Sequence, residues 1–141
     1  MMKEIKFRAW LKPYNEMQYY IRNIDFFDDG RIPVDPEIDP QECYVWEEDY
    51  DLMQYTGFKD IEGFEIYEDD IIGVRYCGEM FYYKVVWEAG GWRAKGNYGK
   101  GLWIQDLFYS SDKIYLIGNK HEDNGLWKSI LGGEPYRPGE D

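Results

Sequence analysis

Phe81-Tyr82-Tyr83-Lys84-Val85-Val86-Trp87-Glu88-Ala89-Gly90-Gly91-Trp92-Arg93-Ala94-Lys95 decides the fold class. Phe81, Tyr83, Val85 and Trp87 fall on one side of an extended chain, with Tyr82, Lys84, Val86 and Glu88 on the other. Aromatic and β-branched residues suit a pleated, half-buried surface, and Gly90-Gly91 reads as the turn of a hairpin that returns through Trp92–Lys95. The same character extends upstream into Ile71-Ile72-Gly73-Val74-Arg75-Tyr76-Cys77. Downstream, two late strands are expected, from Leu102 to Tyr109 and from Lys113 to Gly118.

The pattern continues toward the N-terminus. Ile5, Phe7, Ala9 and Leu11 alternate with Lys6, Arg8, Trp10 and Lys12, the period of a strand with one face in water. Met17–Arg22 reads similarly. Ile24–Phe27 and Arg31–Val34 flank Asp28-Asp29-Gly30 as a hairpin, and Cys43–Trp46 and Leu52–Thr56 are further short strands. Asp60–Gly63 suits a type I turn, with Asp first and Gly fourth. One segment reads as a helix: Leu126/Ile130 and Trp127/Leu131 pair at i, i+4, Asp123 or Asn124 caps it, and Gly132-Gly133 stops it. Short strands with frequent turn signals predict a mainly β domain, barrel or sandwich, with one short C-terminal helix. It runs over residues 1–133, with a polar tail at 134–141. The stretch 35–51 is compatible with a short helix as well as with strand.

Composition excludes several classes. The chain has 141 residues, 28 Asp and Glu against 16 Lys and Arg, and a net charge of −12. Aromatic residues make up 19%, far above what disordered acidic chains carry. No run of apolar residues approaches the length of a membrane span, and charges interrupt the first eight residues, so no signal peptide is expected. These readings lead to a cytoplasmic protein with no membrane partner. Residues 32–70 hold fourteen acids and a single base, Lys59, a surface that repels nucleic-acid phosphates.

Chemistry-bearing motifs are sparse. Cys43 and Cys77 lack metal-ligand spacing and, with His121 the sole histidine, supply too few ligands for a zinc centre. They read as free thiols, and neither cofactor nor metal nor catalytic residue is assigned. Lys120-His121-Glu122-Asp123 reads as a solvated turn. Glu68, Asp69 and Asp70 form the acidic candidate site. Adjacent carboxylates point to alternating sides and lack the calcium-loop order, so the triplet also reads as a solvated turn. Gly96-Asn97-Tyr98-Gly99-Lys100-Gly101 is glycine-rich without the order that cradles phosphates. Its neighbourhood gives the second candidate surface: Tyr98, Trp92 and Trp103 interleaved with Arg93, Lys95 and Lys100, the aromatic-plus-basic mixture of a single-strand binding patch. The same aromatics also suit cross-strand packing.

Three blocks carry a family resemblance: Lys3-Glu4-Ile5-Lys6-Phe7-Arg8-Ala9-Trp10, Leu52-Met53-Gln54-Tyr55-Thr56-Gly57-Phe58-Lys59-Asp60, and Glu65-Ile66-Tyr67-Glu68-Asp69-Asp70-Ile71-Ile72. With Val85-Val86-Trp87 and Leu116-Ile117-Gly118-Asn119 followed by Glu122, the chain resembles the YopX family of bacteriophage and prophage proteins. The family usually has Glu-Gly-Asp where this chain has Glu68-Asp69-Asp70, which implies a turn that Asp69 tolerates. The resemblance implies a β-rich fold containing a small SH3-like barrel and a phage or prophage origin in a bacterial cytoplasm. It carries over no catalytic residue.

The leading functional expectation is therefore a non-enzymatic module that binds an unknown host or phage protein. The alternatives are single-stranded nucleic-acid binding by the aromatic and basic strands, or an acidic DNA mimic. A metal-dependent enzyme using Glu68, Asp69, Asp70 and Asp60 ranks last.

Overall fold

The computed structural model describes residues 4–36, 44–96, 101–110 and 113–132. The protein is mainly β, with sheet curled into a half-barrel and one short C-terminal helix. The chain separates into two compact units, Met1–Tyr55 and Thr56–Asp141.

In the first unit β1 (Phe7–Leu11) pairs antiparallel with β2 (Glu16–Gln18) and with the start of β5 (Tyr50–Lys59), placing Ala9 opposite both Gln18 and Leu52. Ala9, Leu11 and Met53 are fully buried. The alternation is broken at Arg8, expected to face water but 1% exposed, its guanidinium over the Tyr19 ring. β3 (Asn23–Ile24) and β4 (Val34–Asp35) form the expected hairpin about Gly30, whose φ is +90°. Asp29 stabilises that turn by accepting the Arg31 N–H at 3.1 Å, and this bond comes first among the causes holding its carboxyl below the usual range. Among the described residues of 35–51 the helical element is one 3₁₀ turn, Glu47–Asp49.

The second unit begins within β5, which continues to Lys59, turns at Asp60–Gly63 and returns as β6 (Glu65–Tyr67). The Gly63 N–H reaches the Asp60 carbonyl at 3.0 Å, as expected of a type I turn. Then β7 (Asp70–Tyr76), β8 (Glu79–Glu88), β9 (Gly91–Lys95), β10 (Leu102–Trp103) and β11 (Ile114–Asn119) form one antiparallel sheet in the order β10-β9-β8-β7-β11. Its inner face contributes Ile72, Val74, Val85, Ala94 and Ile114 to a core completed by Ile66, Ile104 and Leu107. On its outer face Ile71 is covered by Leu126 and Ile130 of α2 (Asn124–Gly132). Each such apolar side chain removed from water contributes about 1.5–3 kcal/mol.

Two local expectations are corrected. Only Leu102-Trp103 of the stretch 102–109 is strand, and α1 (Ile104–Ser110) follows. As a strand it would put Asp106 on the same face as Ile104 and Phe108. As a helix it turns Ile104, Leu107 and Phe108 to the core and leaves Gln105 and Asp106 exposed. The β8–β9 hairpin turns on Ala89-Gly90, both with positive φ, so Gly91 is the first residue of β9, opposite Glu88. The β7–β8 hairpin is built alike on Cys77-Gly78.

Candidate functional site

The acidic triplet is a folded turn in which the Asp69 and Asp70 carboxylates serve different partners. Asp70, 1% exposed, accepts the Tyr67 N–H on Oδ2 at 2.7 Å, closing the turn from inside. Asp69 adopts φ +70°, a left-handed conformation that glycine adopts without cost. Its N–H donates to the Val85 carbonyl at 2.9 Å, and its own carbonyl accepts the Lys120 N–H at 2.8 Å. Its Oδ2 stands 3.3 Å from Nε2 of His121, whose side chain is 7% exposed. The solvated-turn reading of His121 and of the triplet is therefore corrected: the ring and Asp70 are buried, because they clasp the β6–β7 turn to the turn after β11.

That second turn is organised by Asn119. Its Oδ1 accepts the N–H groups of His121 and Glu122 at 3.0 and 2.9 Å, and its Nδ2 donates to Glu122 Oε1 at 2.8 Å. Asp123 accepts the Asn119 N–H at 3.1 Å. A Cβ at Gly118 would stand 2.3 Å from Asp123 Oδ2, so glycine is required for this close approach. A further carboxylate, Asp60, accepts the N–H groups of Glu62, Phe64 and Leu116 at 2.8–2.9 Å, tying its turn to β11. Asp35 is likewise turned inward, 4% exposed and 2.8 Å from Arg22 Nη2. The acidic middle is thus not a uniform outward array of charge.

An imidazole beside a carboxylate can orient or accept a proton when a nucleophile adjoins it. Cys77 lies at the opposite end of β7 from Asp69, about 26 Å away at the rise of a strand. Cys43 lies outside the described residues. Among the described residues, no three His, Cys, Asp or Glu side chains gather as metal ligands.

The aromatic and basic set is divided by the sheet. Trp92 packs on the inner side against the main core and meets Trp87 edge-on, centroids 4.8 Å apart, with Trp87 55% exposed. Arg93 and Lys95 alternate to the outer side. Trp103 pairs with Arg93, whose guanidinium carbon is 4.0 Å from the indole centroid. That ring crosses Gly91, where a Cβ would lie 2.5 Å from it. Lys95 Nζ is 3.0 Å from Glu88. Trp103, Arg93 and Lys95 are therefore brought to one face and Trp92 to the other, while Tyr98 and Lys100 lie outside the described residues.

Sequence reasoning missed Lys84. It sits opposite Lys95 on that outer face, is 4% exposed, and places its ammonium 4.4 Å from the Trp127 ring, with Lys120 at 5.8 Å. Burial, followed by repulsion from Lys120 and Lys95, holds its pKa below the ordinary 10.5. The only signal was a charged residue inside an aromatic and β-branched run, on the side opposite Phe81, Tyr83, Val85 and Trp87. Trp127, four residues from Leu131 on α2, gave no sign of receiving an ammonium.

No helix among the described residues is long and apolar enough to cross a membrane. A family model described as YopX protein matches residues 6–128. No curated protein matches the chain. The fold is similar to the crystal structure of protein EF1440 from Enterococcus faecalis, with a TM-score of 0.67 over 89% of this chain and 99% of that one, at 24% sequence identity.

Proposed function

The chain belongs to the YopX family, and from that premise we propose that it is a non-enzymatic protein-interaction module. The observation that carries this reading is how the two kinds of side chain are distributed. The carboxylates and amides a reaction would need are engaged as internal hydrogen-bond acceptors: Asp60 and Asp70 on backbone N–H groups, Asn119 and Asp123 on the turn before α2. Large apolar groups, by contrast, stand outside, among them Trp87 at 55% exposure and Tyr109 at 96% in the second unit. Tryptophan and tyrosine contribute most where interfaces form, since they bury much area at low entropic cost. Trp87, steadied edge-on by Trp92, is the anchor we assign to a protein partner.

The family resemblance supports a phage or prophage gene and action inside a bacterial host. The test is a photo-crosslinking amino acid at Trp87 of the full chain, expressed in bacterial cells. A discrete protein adduct, missing when the same group replaces the exposed Lys59, is the expected result. Equal adducts at both positions, or none at Trp87, overturn the proposal.

A further inference from the structure

The hairpin about Gly30 carries a cluster of aromatic rings on one side. The Phe27 N–H donates to the Arg31 carbonyl at 2.9 Å, and Val34 exchanges hydrogen bonds with Val45 at 2.9 and 2.7 Å, which sets a third short segment beside β4. Ile24, Val34 and Val45 therefore share one side of this small sheet, and alternation sends Phe27, Arg31, Tyr44 and Trp46 to the other. The three ring centroids stand 5.8–6.2 Å from one another, with 84°, 75° and 44° between planes, so no two rings stack flat. Tyr44 is 40% exposed and Phe26, beside Phe27, is 77% exposed. An open depression is lined by these two phenylalanines with Asp28 and Asp29.

The cluster already holds a cation. The Arg31 guanidinium carbon lies 4.6 Å from the Trp46 centroid and 5.5 Å from that of Phe27, within the range of a cation–π contact. Asp29 fastens it at 2.6 Å. Both side chains of that pair are more than half exposed, at 56% and 52%, and such a pair is weak enough to exchange for another. The surroundings are acidic: residues 23–31 and 44–49 hold six acids and, besides Arg31, no base. Lys12 reaches this stretch from outside it, at the Glu48 carbonyl. Glu47 is engaged by the Ile32 N–H, whereas Asp28 and Glu48 present exposed carboxylates.

We propose that this aromatic cluster docks an arginine of a basic polypeptide, seated between Trp46 and Tyr44 and paired with Asp29, in the place that Arg31 fills in the free protein. Arg31 is then an internal stand-in, displaced when the partner arrives. A planar guanidinium stacks on a ring and pairs with a carboxylate at its edge at the same time, which a compact lysine ammonium does less well. The acids around the rings repel phosphates, which disfavours a nucleic acid and favours a cationic chain. The net charge of −12 speeds the encounter with such a chain. Trp87 belongs to the second unit, so the inference does not rest on the anchor assigned there.

The test is fluorescence anisotropy of a labelled peptide of alternating arginine and glycine, about twelve residues long, with the full-length protein at about 50 mM salt. Binding is expected, and Tyr44→Ala should weaken it about three- to fivefold, the worth of one exposed cation–π contact. Arg31→Gln vacates the site and should tighten binding about threefold. Lys59→Gln, which changes the net charge equally at an exposed position of the second unit, should leave it within about twofold. A peptide with lysine in place of arginine should bind about threefold more weakly. Because Arg31→Gln is expected to gain affinity, a loss of folded protein cannot imitate its result. No binding by the parent, Tyr44→Ala binding like the parent, Arg31→Gln binding no tighter than Lys59→Gln, or equal binding of the two peptides each overturn the inference.

Discussion

Asp60 shows what one carboxylate accomplishes here. It was legible as the first residue of a type I turn, and its bonds to Glu62 and Phe64 follow from that local chemistry. Its bond to Leu116 spans 56 residues and has no local signal. Because an ionised acceptor serving three backbone donors is lost at once, Asp60→Ala should cost about 3 kcal/mol. Asp60→Asn, which keeps one acceptor oxygen, should cost about half as much; urea midpoints of the two variants measure the difference. His121 and Asp69 belong to the same class. Each looks like a solvated polar residue in its own neighbourhood, and each is enclosed by a partner 52 positions away.

At the scale of elements, strand periodicity was a dependable guide and turn placement less so. Gly90-Gly91 looked like the turn, but a two-residue loop needs positive φ at both central positions, and the register puts Ala89 and Gly90 there. Ala89 therefore holds φ +55° against the preference of an L-residue. Ala89→Asn should raise stability by about 1 kcal/mol, read as a higher melting temperature. α1 escaped the sequence because Leu102–Tyr109 is too short for a helical period to outweigh its aromatic and branched residues. Its buried stripe predicts that Leu107→Ala costs about 2–4 kcal/mol while Asp106→Ala is nearly silent. A strand over the same residues would predict the opposite sensitivity at Asp106, so thermal melts of the two variants separate the cases.

For the molecule as a whole, the charge distribution makes a pH prediction. Lys84 has a folded pKa below its unfolded 10.5. Between those values the unfolded chain holds a proton that the folded chain has released, so stability rises with pH through that window. Below the window the full penalty of the buried charge applies. Tyr50 works oppositely from about pH 10, since burial raises its pKa and the folded state resists losing that proton. Subtracting Lys84→Met from the parent cancels the Tyr50 contribution. The parent's stability relative to the variant should climb steadily as pH rises toward 10.5, in denaturation curves taken at a series of pH values. A flat difference would mean that Lys84 keeps its proton as readily folded as unfolded. The sequence by itself determined the mainly β class, the C-terminal helix over Leu126–Leu131 and the Asp60–Gly63 turn, which rest on periodicity and short-range turn chemistry, and the family, which rests on its motif blocks. Only the tertiary structure decided that Asp70 and His121 lie inside, that Trp92 and Trp103 occupy opposite faces, and that Lys84 reaches Trp127. Those outcomes depend on which strands become neighbours, and contacts between residues far apart in the chain leave no mark on the local pattern of either one.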